Sequence, residues 1–303
     1  MSYSTARSEL LRRRLDQLTR ALPGLEQGDV RALHRARVAS RRLRELVPVL
    51  PLDHASSRKL SRRLRRLTSH LGTVRELDVM MLGIDEMHEA RRVQSAALAR
   101  VGVAVSKDRD RARRRLFERA PIQDVWRLAR KFERIVAELK QLDESSSRSA
   151  TRNWKWAVDA RLERRATRLV TAVQDAGTVY IPERLHVVRI ALKKLRYAFE
   201  LANDVSAVRA DADLRAFKRG QDLLGRMHDL QVLIERVRQV QASLTPPDLA
   251  MWRALDGLVI FLDNMCRQLH GRYIGRRTEL QAIVGRLGKQ RPAPATLMRR
   301  IVG

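Results

Sequence analysis

Apolar residues recur three or four positions apart along nearly the whole chain, with charged residues between them. This spacing is typical of amphipathic α-helices, because 3.6 residues complete one helical turn. Strand-like alternation is almost absent, and proline or glycine separates many of the stripes. Clear stripes are Leu10, Leu11, Leu15, Leu18 and Leu22; Leu60, Leu64, Leu67 and Leu71; and Phe132, Ile135, Val136 and Leu139. The pattern predicts an all-α protein.

The most polar interval, DESSSRSATRN at residues 143–153, lies near the midpoint of the chain. Its composition favours a linker, which would separate a first half, residues 5–142, from a second half, residues 154–290. The last stretch, residues 291–303, contains two prolines and is predicted to form a flexible tail.

A basic stretch occurs once in each of these halves. The sequence LHRARVASRRLRE begins at Leu33, and LHVVRIALKKLRYAFE begins at Leu185, an offset of 152 positions. The corresponding pairs are His34 and His186, Arg37 and Arg189, Arg41 and Lys193, Arg42 and Lys194, and Arg44 and Arg196. A basic pattern that recurs at matching places is not explained by composition alone.

A second block follows each basic stretch at nearly the same offset. LGTVRELDVM begins at Leu71 and LGRMHDLQVL begins at Leu224, 153 positions later. The two offsets predict a duplicated helical unit of about 150 residues, and such a duplication commonly packs about a pseudo-two-fold axis. One departure is Gln231, which stands where the first copy has Asp78.

The cations of each basic stretch share one side of the predicted helix. His34, Arg37, Arg41 and Arg44 fall within an arc of about 80°, in a row about 15 Å long, and apolar residues lie opposite. The second copy repeats this arrangement. A solvated helix face usually mixes both signs of charge, whereas these cations would repel one another without a bridging anion. The row therefore predicts an anion-binding face on each of the two helices.

The second block adds donors to these faces. Arg75 and His228 occupy equivalent positions, and both can donate hydrogen bonds to an anion. The neighbouring acids Glu76 and Asp229 are expected to orient those donors. A bound phosphate beside His34 or His186 should raise the pKa of the imidazole.

The overall charge indicates the class of ligand. The chain of 303 residues has 62 Lys and Arg against 34 Asp and Glu, a formal net charge of +28. A field of this size attracts polyanions. Aromatic residues make up only 4% of the chain, so stacking platforms for single-stranded nucleic acids are scarce. The ligand predicted by the two rows has phosphates and needs no contacts to bases.

Several other chemistries are not supported by the sequence. The glycine spacing of GQDLLG, residues 220–225, lacks the following Lys and Ser or Thr of a phosphate loop, and no metal-ligand spacing is present. No arrangement of nucleophile and base indicates catalysis, and no cofactor is expected. Cys266 lies in an apolar run and is predicted to be a core residue.

The sequence also favours one cellular setting. The single cysteine suggests a reducing compartment, and the first residues resemble neither a signal peptide nor a membrane span. We therefore expect a cytoplasmic protein that does not bind membranes. The sequence does not specify an oligomeric state.

The paired motifs His-x-x-Arg-(Val/Ile)-x-x-(Arg/Lys)-(Arg/Lys)-Leu-Arg, each followed by Leu-Gly-x-x-(Arg/His)-(Glu/Asp), resemble the CHAD family, the conserved-histidine α-helical domain. The resemblance covers about residues 5–290. It implies two four-helix bundles related by pseudo-two-fold symmetry, with a central basic channel that binds inorganic polyphosphate, and association with polyphosphate granules. The ligand-binding residues that it implies are His34, Arg37, Arg41, Arg42, Arg44, Arg75, His186, Arg189, Lys193, Lys194, Arg196 and His228.

The leading hypothesis is a polyphosphate-binding module without catalysis. The N-terminus lacks the Glu-x-Glu-x-Lys run of the triphosphate-hydrolysing domain that is often fused to CHAD. One alternative is a nucleic-acid-binding helical protein, because the net charge fits that ligand equally well; otherwise nucleic acid is expected to bind only non-specifically. A less favoured alternative is a phosphoryl carrier that uses His34 or His186.

Overall fold

The computed structural model describes residues 6–90, 95–119, 122–145, 148–206, 210–245 and 248–289, and these are almost entirely helical. No strand occurs within these ranges, so the all-α prediction is confirmed. The helices are α1 (Arg7–Thr19), α2 (Leu22–Glu26), α3 (Val30–Leu46), α4 (His54–Glu89), α5 (Ser95–Arg119), α6 (Ile122–Glu144), α7 (Arg148–Ala176), α8 (Pro182–Ser206), α9 (Asp211–Ala242) and α10 (Leu249–Lys289), with a 3-10 turn at Val47–Val49.

The larger of two compact units contains Ala6–Ser146 and Arg226–Gln268. In it α1 packs against α3 and α6, and α4 packs against α3 and α5. The apolar stripe of α6 shows why: Phe132, Ile135, Val136 and Leu139 recur at helical spacing, and all four are buried. Burial of such a stripe supplies most of the stability of a helix in a protein.

The other unit consists of the described parts of Ser147–Gly225 and Leu269–Gly303. Helix α7 packs along α8. Phe199 of α8 meets Phe217 of α9 edge to face, with ring centroids 5.4 Å apart, a favourable aromatic geometry. Gly220 allows close packing, since a Cβ there would lie 3.0 Å from Leu280 of α10 and 3.3 Å from Leu192 of α8.

The boundaries of the two units do not follow the predicted halves, 5–142 and 154–290. The division falls after Gly225 within α9 and after Gln268 within α10, so each of these long helices contributes to both units. The sequence repeat describes the order of helices along the chain, whereas a compact unit is set by contacts between side chains.

The interval predicted as a linker, residues 143–153, is helical at both ends, because α6 continues to Glu144 and α7 begins at Arg148. Asp143 also makes specific contacts. Its carboxylate accepts hydrogen bonds from the Arg7 Nε at 2.6 Å and the Ser8 backbone N–H at 2.9 Å, at the start of α1. The interval predicted as a linker therefore includes a helix end that anchors another helix. The predicted tail, 291–303, lies outside the described residues.

Two further expectations concern hydrophobicity. Cys266 is fully buried in α10, which confirms its prediction as a core residue. Among the helices that the structure describes, none combines the length and the apolar character needed to cross a bilayer.

Candidate functional site

Helix α3 carries the first basic row, and its start is fixed by Asp29. The Asp29 carboxylate accepts from the backbone N–H groups of Arg31 at 2.8 Å and Ala32 at 3.1 Å, so it caps the helix. Gly28 precedes it with a positive φ of 74°, a conformation that glycine adopts without steric cost. The back of α3 is buried and largely composed of small and apolar residues: Ala32, Ala36, Ala39, Leu43 and Leu46.

The front of α3 brings His34, Arg37 and Arg41 together, and α4 adds Arg75. Partial desolvation lowers the pKa of His34, and the positive charges of Arg75, Arg37 and Arg41 lower it further. Helix α3 and the second block on α4 therefore form one cluster, as their order in the sequence suggested. Neither Arg41 nor Arg75 forms a salt bridge with an acid in the described part of the chain.

The glycine of the second block lies directly beneath this cluster. A Cβ built on Gly72 would stand 3.4 Å from Nη2 of Arg37 and 3.7 Å from its Cζ, so the Arg37 guanidinium lies against the bare backbone of α4. A Cβ at this position would be in van der Waals contact with the guanidinium, and a side chain longer than that of alanine would displace it. This contact links the two sequence motifs, and the repeat alone did not reveal it.

A pair of buried hydroxyl groups joins α3 to α4 behind the row. Ser40 Oγ and Thr68 Oγ1 lie 3.0 Å apart, and Thr68 donates to the Leu64 carbonyl oxygen at 2.6 Å. Both side chains are buried, and hydrogen bonding between them offsets the cost of removing them from water. Sequence reasoning missed this pair, because serine and threonine within a basic stretch carry no distinctive signal.

Arg42 and Arg44 flank the first cluster. Nη1 of Arg42 donates to Gln17 Oε1 of α1 at 3.1 Å, and the Arg42 carbonyl accepts from the buried Arg14 at 2.8 Å. Arg42 thus lies on the side of α3 that faces α1. Arg44 is half-buried in the last turn of α3.

Helix α8 carries the second basic row and begins at Pro182, a residue suited to the first helical position because its missing N–H is not needed there. Desolvation lowers the pKa of His186, and the charges of Arg189 and Lys193 lower it further. His186, Arg189 and Lys193 therefore repeat the arrangement of the first row. Lys194 on α8 and His228 on α9 are both half-buried.

Arg196 has a different environment from the rest of its row. Its Nη1 donates to Glu200 Oε1 at 2.9 Å, its Nε donates to Gln221 Oε1 at 2.8 Å, and its guanidinium lies 4.7 Å from the Tyr197 ring centroid. Only 17% of the Arg196 side chain is exposed. Its charge is compensated within the protein, and it joins α8 to α9.

The departure at Asp78 also has a structural explanation. Its carboxylate is buried in α4, and Oδ1 accepts from Arg109 Nε at 2.7 Å and from Arg113 Nη2 at 3.3 Å, both on α5. A buried carboxylate needs such compensation. Asp78 therefore anchors α4 to α5, which accounts for an acid at this position of the first copy.

A sequence model of the CHAD domain matches residues 9–238. The chain belongs to the CHAD family. The resemblance of the paired histidine motifs is thereby confirmed, and both basic rows of this CHAD domain lie within the matched region.

Two solved structures share the CHAD fold with this chain. The crystal structure of the CHAD domain from the plant Ricinus communis matches with a TM-score of 0.63 and 21% sequence identity, covering 92% of this chain and 93% of that one. PptA from Streptomyces chartreusis matches with a TM-score of 0.59 and 18% identity, covering 91% of this chain and 96% of that one. These likenesses concern the fold alone. A search of curated proteins finds no match.

Proposed function

We propose that this CHAD domain binds inorganic polyphosphate through the basic rows of α3 and α8, without catalysis, and associates with polyphosphate granules in the cytoplasm. The observation that carries the proposal is the cluster of His34, Arg37, Arg41 and Arg75, in which cations from two helices lie close enough to lower the pKa of the histidine. Polyphosphate binding is general in the family, which supports the same ligand here.

The chemistry of the rows fits a thread of phosphoryl groups. Arginine can donate two parallel hydrogen bonds to phosphate oxygens, and lysine offers a compact charge. Arg37, Arg41, Arg189 and Lys193 are each half-buried, so a thin, flexible anion reaches them more easily than a wide duplex does. Binding through many such contacts is expected to weaken steeply as salt concentration rises.

The test removes one cation from each row. In the variant Arg41→Ala with Lys193→Ala, we expect affinity for long-chain polyphosphate to fall by about tenfold or more. We also expect the slope of log affinity against log salt to decrease by about 1 to 2. Titration at two salt concentrations, followed by fluorescence anisotropy of end-labelled polyphosphate, measures both quantities.

The matched control is Arg134→Ala with Arg164→Ala, which removes the same formal charge from two exposed positions on α6 and α7. If the two double variants lose the same affinity and the same salt slope, the rows are not the binding site and only the overall field attracts the ligand.

A further inference from the structure

Two cavities flank His70 on α4, and neither belongs to the basic rows. The first, of about 310 Å³, lies between α4 and α6 and is lined by Arg63, Arg66, His70 and Arg127 together with apolar side chains. The second, of about 360 Å³, lies between α4 and α5, and its lining also includes His70. Both volumes are in the range of small-molecule sites.

The α4–α6 cavity is rich in uncompensated positive charge. Arg63 and Arg66 stand one turn apart on α4, and neither forms a salt bridge with any described residue. Arg127 reaches the cavity from α6, where Asp124 accepts from its Nη1 at 2.8 Å, so the three arginines face one carboxylate. Such a set of donors suits a phosphoryl group.

The α4–α5 cavity has a different chemistry. Leu77, Met80 and Leu116 supply apolar surface, and Met80 and Leu116 are almost completely buried. Its charged lining is mixed, because the acids Glu76 and Asp108 lie beside Arg111 and Arg115, and Arg111 pairs with Asp108 at 2.7 Å. This cavity has less uncompensated positive charge than the α4–α6 cavity and is the weaker candidate for binding an anion.

His70 lines both cavities, and one of its ring nitrogens has no hydrogen-bond partner. Its Nδ1 is buried and has no hydrogen-bond partner, which is costly for a polar atom unless a ligand or solvent molecule supplies one. On α4 the positions of Arg63, Arg66 and His70 lie on the far side of the helix from Arg75, at about 100° per residue. The pair of cavities is therefore separate from the α3–α4 cluster.

The arrangement occurs in one half of the chain and is not a by-product of the duplication. At the offset that relates Leu71 to Leu224, the counterparts of Arg63, Arg66 and His70 are Ala216, Arg219 and Leu223. Ala216 is buried, and Arg219 pairs with Glu279 at 2.8 Å. A cationic cavity beside a histidine is thus a feature of α4 alone among the two equivalent helices.

We propose that the α4–α6 cavity beside His70 binds a small phosphomonoester, with the phosphate on Arg63, Arg66 and Arg127 and the organic group beside Leu67 and Leu128. His70 lines the same cavity and offers the ligand its unpartnered Nδ1. This site goes beyond the polyphosphate rows and is independent of them.

The experiment uses phenyl phosphate as the probe, measured by isothermal titration calorimetry with the full chain, and inorganic phosphate as its comparison. We expect phenyl phosphate to bind about tenfold tighter than inorganic phosphate, because burial of the ring adds to the phosphate contacts. Arg63→Ala with Arg66→Ala should weaken phenyl phosphate binding by about tenfold or more.

The control variant is Arg58→Ala with Arg62→Ala, which removes the same charge from exposed positions of α4 outside both cavities. Equal losses in the two double variants would show a non-specific charge effect and overturn the proposal. Equal binding of the two probes, or no binding of phenyl phosphate at millimolar concentration, would also overturn it.

Polyphosphate affinity, measured on the same variants, separates this site from the rows. We expect the Arg63 and Arg66 variant to bind polyphosphate as the control variant does. If polyphosphate instead displaces phenyl phosphate and loses affinity selectively in the Arg63 and Arg66 variant, the cavities are an extension of the polyphosphate site, and the phosphomonoester proposal is wrong. Failure of the basic rows in their own test would leave this result unaffected.

Discussion

At the scale of single residues, Gly72 shows how the absence of a side chain lets the charged side chain of Arg37 pack against a helix backbone. The Arg37 guanidinium lies against the backbone of α4 at Gly72, whereas a Cβ at the equivalent Gly225 would meet nothing within 4 Å. The two glycines occupy the same place in the sequence repeat but have different surroundings. Substitutions at these two glycines can therefore distinguish an effect on helix stability from an effect on the position of Arg37.

For Gly72→Leu we expect polyphosphate affinity to fall by about fivefold, the equivalent of ~1 kcal/mol, because a side chain that extends beyond Cβ displaces Arg37. Gly225→Leu should leave the affinity unchanged and raise the free energy of unfolding by about 0.5 to 1 kcal/mol, as leucine favours a helix over glycine. Binding titrations and urea denaturation measure the two effects. Equal affinities for the two variants would show that the position of Arg37 does not matter for binding.

The histidines of the two rows predict a dependence of binding on pH. Desolvation and neighbouring cations lower the pKa of His34 and His186, so both imidazoles are neutral in the free protein near neutral pH. A bound polyanion favours the charged forms and raises the pKa. Binding should therefore take up protons, and affinity should increase by about fivefold between about pH 7.5 and about pH 5.5.

The variant His34→Gln with His186→Gln should lose most of this increase, and calorimetry in buffers of different ionisation enthalpy measures the proton uptake. In the absence of ligand, the same lowered pKa values make the folded protein less stable as the pH falls. Because the folded protein holds the pKa of each histidine below its unfolded value near 6.5, the free energy of unfolding falls as pH drops below that value. An affinity that is flat with pH in the unmodified protein would contradict the proposed contact with these histidines.

At the scale of helices, Asp143 shows that a polar interval can be structural. Burial alone would raise the pKa of Asp143, but hydrogen bonds from Ser8 and Arg7 and the Arg7 charge outweigh this effect and lower the pKa. The carboxylate at the end of α6 thereby holds the first turn of α1. Sequence composition predicted a linker here and gave no sign of the contact between Asp143 and α1.

Asp143→Ala should lower the free energy of unfolding by about 1 to 3 kcal/mol, because Arg7 and the Ser8 N–H lose their acceptor in a partly buried place. Glu144→Ala is the matched control, since its contact with Lys140 is exposed and 3.9 Å long, and we expect a change below about 0.5 kcal/mol. Urea denaturation followed by circular dichroism compares them. Similar values for both variants would mean that Asp143 does not anchor α1.

At the scale of the whole molecule, the net charge of +28 attracts any polyanion, so attraction by itself does not select the ligand. In the proposed function, selection depends on access to the half-buried cations of the rows. At equal phosphate concentration we expect long-chain polyphosphate to displace duplex DNA from the protein, and to do so at both low and physiological salt. Displacement of polyphosphate by the duplex would favour the nucleic-acid alternative.

Much of the fold could be predicted from the sequence because helical periodicity is local. The stripes at Leu60–Leu71 and Phe132–Leu139 coincide with buried faces of α4 and α6, and the basic stretches coincide with α3 and α8. The compact units could not be predicted, because α9 and α10 divide between them according to contacts far apart in the chain. The central channel and the pseudo-two-fold axis stay predictions.

The candidate site was predictable to the level of which helices carry it. Spacing placed His34, Arg37 and Arg41 on one face, and the structure adds Arg75 to them as the repeat suggested. The sequence could not show that Arg196 donates hydrogen bonds to Glu200 and Gln221. Glu200 lies one turn away on α8, and Gln221 lies on a different helix, α9.

The sequence by itself determined the helical class, the two basic rows and the family, because each depends on residue identity and on a period of 3.6. Only the tertiary structure decided which cationic side chains have partners within the protein and against which glycine a guanidinium packs. It also decided that His70 lines two cavities of different chemistry. These features depend on side chains that meet across helices. Their partners lie tens of positions away in sequence, where no local pattern connects them.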